Sequence, residues 1–162
     1  MRGAVLPAAL LCLAFVFMLA FAPGRARMPA LVTAVGALIA GLLIEWPPQW
    51  HEAAFLTAWA SIIAMSASVH LPQSARVWKS LALVFGAVTG FSIAAVIAYE
   101  GRVSDLARVL PVLFAYAPAC FIANRGWAIA VKVAASWLIA VAILAALLPL
   151  APTPGYVRDH ME

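Results

Sequence analysis

Six long apolar runs, cut by short polar segments, dominate the pattern along the chain. They cover residues 4–22, 29–46, 53–71, 77–99, 106–123 and 127–150, and a polar tail follows at 151–162. A bilayer core of about 30 Å needs about 20 helical residues to cross it. Each run is long enough. Transmembrane strands need alternation over about ten residues. These runs are instead uniformly apolar and rich in Ala and Leu, so the pattern predicts an all-α protein with six transmembrane helices and no soluble domain. The connections PGRARMP, EWPPQWHE, PQSARVWK, EGRVSD and ANRG are short. Consecutive helices should therefore pair as antiparallel hairpins.

The first run resembles a signal peptide, with Arg2 ahead of it and Ala20-Phe21-Ala22 at its end. Pro23 directly after that site makes poor cleavage, and the run is long for a signal core. It reads as a retained anchor.

Composition agrees with lipid as the solvent. The chain of 162 residues is 67% apolar and 10% charged, with a mean hydropathy of +1.05. Soluble domains run nearer a quarter charged. The net charge of +4 points to nucleic acid only if position is ignored, since no basic stripe or basic–aromatic interleaving exists. Six crossings sort the charges instead. Arg2, Glu45, Glu52, Glu100, Arg102, Asp105, Arg108, Arg158, Asp159 and Glu162 fall on one face, four cations against all six carboxylates. Arg25, Arg27, Arg76, Lys79, Arg125 and Lys132 fall on the other. The positive-inside rule counts Lys and Arg only. It assigns the second face to the cytoplasm of an inner (plasma) membrane and both termini to the outside. Trp46, Trp50, Tyr99 and Tyr156 mark the first boundary, and Trp78 and Trp127 the second. Trp59 and Trp137 lie deeper, where packing or lipid contact is the plain role.

Between helices in lipid there is no hydrophobic drive, so small residues must allow close approach. Gly86 and Gly90 form a GxxxG pair, and Gly36/Ala40 and Ala37/Gly41 repeat the spacing in the second run. Ala60, Ala64 and Ser68 make a stripe in the third. The second, third and fourth runs should form the tightest part of the bundle. Gly36, Gly41, Gly86 and Gly90 are the expected packing residues, within the monomer by default and between two copies as the alternative.

Ionisable groups inside a membrane are costly and usually functional. Apart from Glu45 at the very end of the second run, no Asp or Glu lies within a run, and Lys79, Arg108 and Lys132 sit near run ends where they can snorkel. That absence argues against a proton-coupled carrier or a voltage sensor. The fifth run differs in its backbone. Pro111 and Pro118 each lack an N–H and free the carbonyl four residues earlier, that of Ala107 and that of Phe114. A kinked helix of this kind builds the site of many transporters. Pro111, Phe114, Tyr116 and Pro118 are therefore the candidate ligand residues, with a simple packing kink as the bland reading.

Glu45, His51 and Glu52 offer a weaker metal alternative, since carboxylates with imidazole bind Zn²⁺ or similar ions. No HxH or HExxH spacing supports it, and a solvated acidic face is the plainer reading. Ser66 and His70 are four apart on one helical face, but no acid orients the imidazole. Cys12 and Cys120 lie in apolar runs without ligand spacing. No phosphate loop or dinucleotide fingerprint occurs. A non-enzymatic protein without cofactor is expected, one that moves or binds a small uncharged or weakly polar solute. The alternative is an accessory subunit of a larger membrane complex, and an intramembrane enzyme comes third. The expected partners are the lipid bilayer and either a membrane protein or a second copy, with no nucleic acid.

Overall fold

A computed structural model describes residues 5–72 and 77–148. Every regular element among them is helical. In chain order these are α1 (Val5–Phe21), α2 (Gly24–Leu42), α3 (His51–Ser68) and α4 (Trp78–Glu100). Then come α5 (Leu106–Val109), a 3₁₀ stretch (Leu110–Ala115), α6 (Tyr116–Ile122), a π turn (Ala123–Trp127) and α7 (Ala128–Leu147).

Three helical stretches are both long and apolar enough to cross a membrane: Gly24–Leu42, Trp78–Tyr99 and the 42-residue run Leu106–Leu147. The other apolar runs take different forms. α1 is apolar but has 17 residues, one turn or so short of a full crossing. α3 has 18 residues, but His51, Glu52 and the hydroxyls of Thr57, Ser61, Ser66 and Ser68 dilute its apolar character. The fifth and sixth runs adjoin without a loop but form two helical segments, divided at Gly126, whose φ of +84° is not helical. Only glycine adopts that backbone without strain.

α1 occupies the centre. It is apolar all round, as a helix buried on every side must be, and eleven of its residues are buried. α3, α4, the segment from α5 to α6, and α7 all pack against it. α2 stands outside this ring and packs on α4 in the most extensive helix pair of the fold.

The α2–α4 seam is built of backbone. A methyl group on Gly86 would lie 2.5 Å from the Ala30 carbonyl oxygen, and one on Gly90 would overlap the Ala34 carbonyl and lie 2.6 Å from the Leu38 nitrogen. One on Gly41 would lie 2.6 Å from Ala94 Cβ. At these separations the two backbones meet directly, close enough for dispersion between them. The order of contacts, 30 with 86, 34 with 90 and 41 with 94, makes the two helices parallel. Gly36 departs from expectation, since nothing lies within 4 Å of the position its Cβ would take. Five residues before Gly41, at about 100° per residue, it lies well round the helix and turns outward.

α3 returns between these two directions. Thr89 Oγ1 donates to Met65 Sδ at 3.4 Å, while the His51 ring at the other end of α3 stacks edge-on with Tyr99. α3 and α4 are thus antiparallel. Ser136 on α7 meets His70 just past the end of α3, Lys132 lies by Phe21 at the same end, and the rest of α7 packs back along α3, so α7 also runs opposite to α3. One end of the bundle gathers Pro7, His51 and Tyr99. The other gathers Phe21, Arg27, Tyr116 and Lys132. Glu45 and Glu52 lie at the first end, and Arg25, Arg27, Lys79, Arg125 and Lys132 at the second.

The outer surface is apolar. Met28, Val32, Val35, Ile39 and Leu43 are all more than half exposed along one face of α2, as are Ile129, Val133, Trp137, Leu144 and Leu147 on α7. Contiguous apolar faces of this length are rare on water-soluble monomers.

Candidate functional site: an aromatic groove between α3 and α4

The turn between α2 and α3 is fixed by its own side chains. The last carbonyls of a helix lack intrahelical partners, and Trp46 Nε1 donates to one of them, Gly41 O, at 2.8 Å. Pro47 is extended, and Pro48 opens a 3₁₀ turn leading into α3, a position where its missing N–H costs nothing. Tyr99 reaches over from α4 and donates its hydroxyl to Pro47 O at 2.6 Å. Its ring meets Trp46 edge-on at 6.3 Å and His51 at 5.2 Å.

This scaffold holds one wall of a groove. Trp46, Trp50, Ala53, Ala54, Thr57, Phe91, Ser92 and Ala95 line a volume of about 180 Å³. The void exists because alanines from both helices face each other beneath two indoles and a phenyl ring. Two hydroxyls sit among them. Thr57 Oγ1 spends its hydrogen on Ala53 O at 2.7 Å, which leaves its lone pairs as acceptors. Ser92 is buried beside it. Aromatic walls with a few placed polar atoms form the ordinary chemistry of a small-molecule site. This groove suits a small ring or short chain bearing one weakly polar group.

Sequence reasoning marked this region for metal, and the side chains do not support that. Glu45 and Glu52 are exposed, while His51 is half-buried against Tyr99. Among the described residues no three His, Cys, Asp or Glu side chains come together. On a helix, adjacent residues such as His51 and Glu52 point about 100° apart.

The fifth-run candidates are not gathered round a cavity either. Pro111, Phe114 and Pro118 are exposed, Phe114 to 82%. Tyr116 is half-buried, and its hydroxyl accepts from Arg27 Nη1 at 3.4 Å. The reason is a change of helical period. Expected as a kinked α-helix, the segment becomes 3₁₀ over Leu110–Ala115, where residues three apart eclipse. Pro111 and Phe114 then share the outer side, while Leu113 is half-buried and Leu110 lies at the edge, 45% exposed. With Leu106 and Val109 those two leucines line a smaller, wholly apolar cleft of about 50 Å³ against Cys12 and Phe15.

His70 meets Ser136 and not Ser66, with Nε2 3.3 Å from Ser136 Oγ. That hydroxyl also lies within hydrogen-bond distance of Lys132 O, at 3.0 Å. Ser66 Oγ and Trp59 Nε1 are buried without a hydrogen-bond partner, a cost of about 1–3 kcal/mol each in an aqueous protein. Both lie on α3, seven residues apart. Sequence marked only the Trp46–Trp50 side of the groove, because its two walls come from positions about forty apart in the chain.

No protein-family model, curated protein or solved structure matches this chain.

Proposed function

We propose that this chain is a six-crossing protein of a bacterial-type inner membrane. In this reading it binds a small, weakly polar solute in the groove between α3 and α4, at the carboxylate-bearing end, as the first step of moving or presenting it. Three features support the membrane reading. The first four helices alternate in direction, the exposed faces of α2 and α7 are apolar, and the described carboxylates all lie at one end, opposite Arg25, Arg27, Lys79, Arg125 and Lys132. α1 begins and α7 ends at the carboxylate end, which the positive-inside rule turns away from the cytoplasm. The observation that carries the solute reading is the groove itself, about 180 Å³ with three aromatic walls and two hydroxyls.

Benzyl alcohol, an uncharged ring with one hydroxyl, is a fitting probe. Titrated into the protein in nanodiscs, it should change tryptophan fluorescence saturably. Ala53→Phe places a ring in the groove from an exposed position and should weaken binding roughly tenfold or more, about 1.4 kcal/mol. Identical titrations for the two proteins would remove the groove as the site.

A second reading, an accessory subunit, is favoured by one specific feature. The outer face of α2 presents Gly36 and Ala40 among Val32, Val35, Ile39 and Leu43, all exposed. Small residues four apart allow another helix close approach. A stoichiometric protein retained through gentle detergent purification, and lost in Gly36→Leu, would select this reading.

A further inference from the structure

The end opposite the groove concentrates positive charge. Arg25, Arg27, Lys79, Arg125 and Lys132 lie there, and among the described residues none of them has a carboxylate partner. The one described Arg–Asp pair, Arg108 with Asp105 at 3.3 Å, belongs to the connection after α4. Two of these cations converge on the last turn of α1. Arg27 donates from Nε to Ala22 O at 2.9 Å and from Nη2 to Ala20 O at 3.1 Å. Lys132 approaches from α7, with Nζ 5.8 Å from the centre of the Phe21 ring.

The carbonyls orient Arg27 without neutralising it. A helix C-terminus offers only about half a negative charge, set here against two whole positive ones. Guanidinium carries five N–H donors in a rigid fork. Three of Arg27's are taken by Ala20, Ala22 and the Tyr116 hydroxyl. One on each Nη remains, a pair whose spacing suits two oxygens of a phosphate. Arg27 and Lys132 are both half-buried, whereas Arg25 and Lys79 are exposed. The surroundings are those of a headgroup boundary. Arg125 lies 4.5 Å over the Phe121 ring, and Trp127 is 70% exposed two residues on, where amphipathic rings prefer to lie.

We infer that this end binds the phosphate headgroup of an anionic phospholipid, with Arg27 and Lys132 as the contacting pair and Tyr116 positioning Arg27. The inference rests on the chain residing in a bilayer, and it is independent of the groove. Anionic headgroups attract basic residues at a membrane surface, and a positioned pair should favour them by roughly tenfold or more.

Native mass spectrometry of the full chain in detergent reads this directly, and it does so without assuming any number of crossings. Titrated with phosphatidylglycerol or phosphatidylcholine of the same acyl chains, the protein should retain the anionic lipid roughly tenfold more strongly. Arg27→Gln with Lys132→Gln should abolish the preference, and Arg27→Lys with Lys132→Arg should keep it. Because Arg27 also caps α1, Lys132→Gln alone provides a variant with the cap intact, and it should lose a measurable part of the preference. Equal retention of the two lipids, or an unchanged preference in the Gln variants, would overturn the inference. Displacement of phosphatidylglycerol by millimolar inorganic phosphate would overturn it as well, by showing a site for the free anion. A failed topology measurement with the lipid preference intact would count against the six crossings and leave the headgroup site standing.

Discussion

Gly90→Ala is expected to destabilise the bundle by about 2–3 kcal/mol, an overpacking penalty at the upper end of the usual range. Two effects compete. Alanine is the better helix former by about 1 kcal/mol, which would stabilise α4. The added methyl, however, overlaps the Ala34 carbonyl and comes within 2.6 Å of the Leu38 nitrogen. Those are backbone atoms of α2, and they move only if the two helices separate. Separation along the most extensive seam of the fold outweighs the propensity gain. Gly36→Ala supplies the control. With nothing within 4 Å of that position, only propensity acts, and the variant should be neutral or stabilised by up to about 1 kcal/mol. Reversible unfolding in mixed micelles with increasing dodecyl sulfate reads both. Equal responses at the two glycines would mean that α2 meets α4 through another face.

Phe15→Ala should be comparably damaging, and Phe114→Ala nearly silent. Phe15 is 1% exposed in the centre of the bundle, whereas Phe114 is 82% exposed on its outside. In water a buried Phe→Ala change costs about 3–5 kcal/mol, as lost transfer energy plus a cavity. If the unfolded helices remain in lipid, the transfer part largely vanishes. What remains is the lost packing around an empty ring volume, on the order of 2 kcal/mol. Phe114 loses neither, and a surface substitution of this kind shifts stability by about 0.5 kcal/mol or less. The same micelle titration measures this pair. A larger loss at Phe114 than at Phe15 would contradict the central place of α1.

These contrasts mark what the chain's pattern made legible. The all-helical class followed from long uniform apolar runs, and the spacing of Gly86 and Gly90 pointed to close helix contact. The two small-residue registers of α2 were equivalent in sequence. Only the fold distinguishes Ala37 and Gly41, which are buried on α4, from Gly36 and Ala40, which face outward. α1 carried no directional signal, because a helix apolar on all sides looks alike whether it is an anchor, a leader or a core. The fifth-run candidates lie on a different phase from that of a regular α-helix. Pro111 announced an irregular helix, but nothing local said that 3₁₀ pairing would turn Phe114 outward. The groove was hidden for a further reason. Ala54 and Ala95 are unremarkable alone, and their facing placement depends on the antiparallel packing of α3 on α4.

Sidedness tests the central claim most directly. Glu45→Cys and Arg125→Cys, both at exposed positions, can be made with Cys120 replaced by serine. Each protein is then probed in sealed, oriented vesicles with a membrane-impermeant maleimide. Labelling of the two positions from opposite compartments is the expected result. Labelling of both from one compartment would mean that the bundle does not carry its carboxylate and cationic ends across a bilayer.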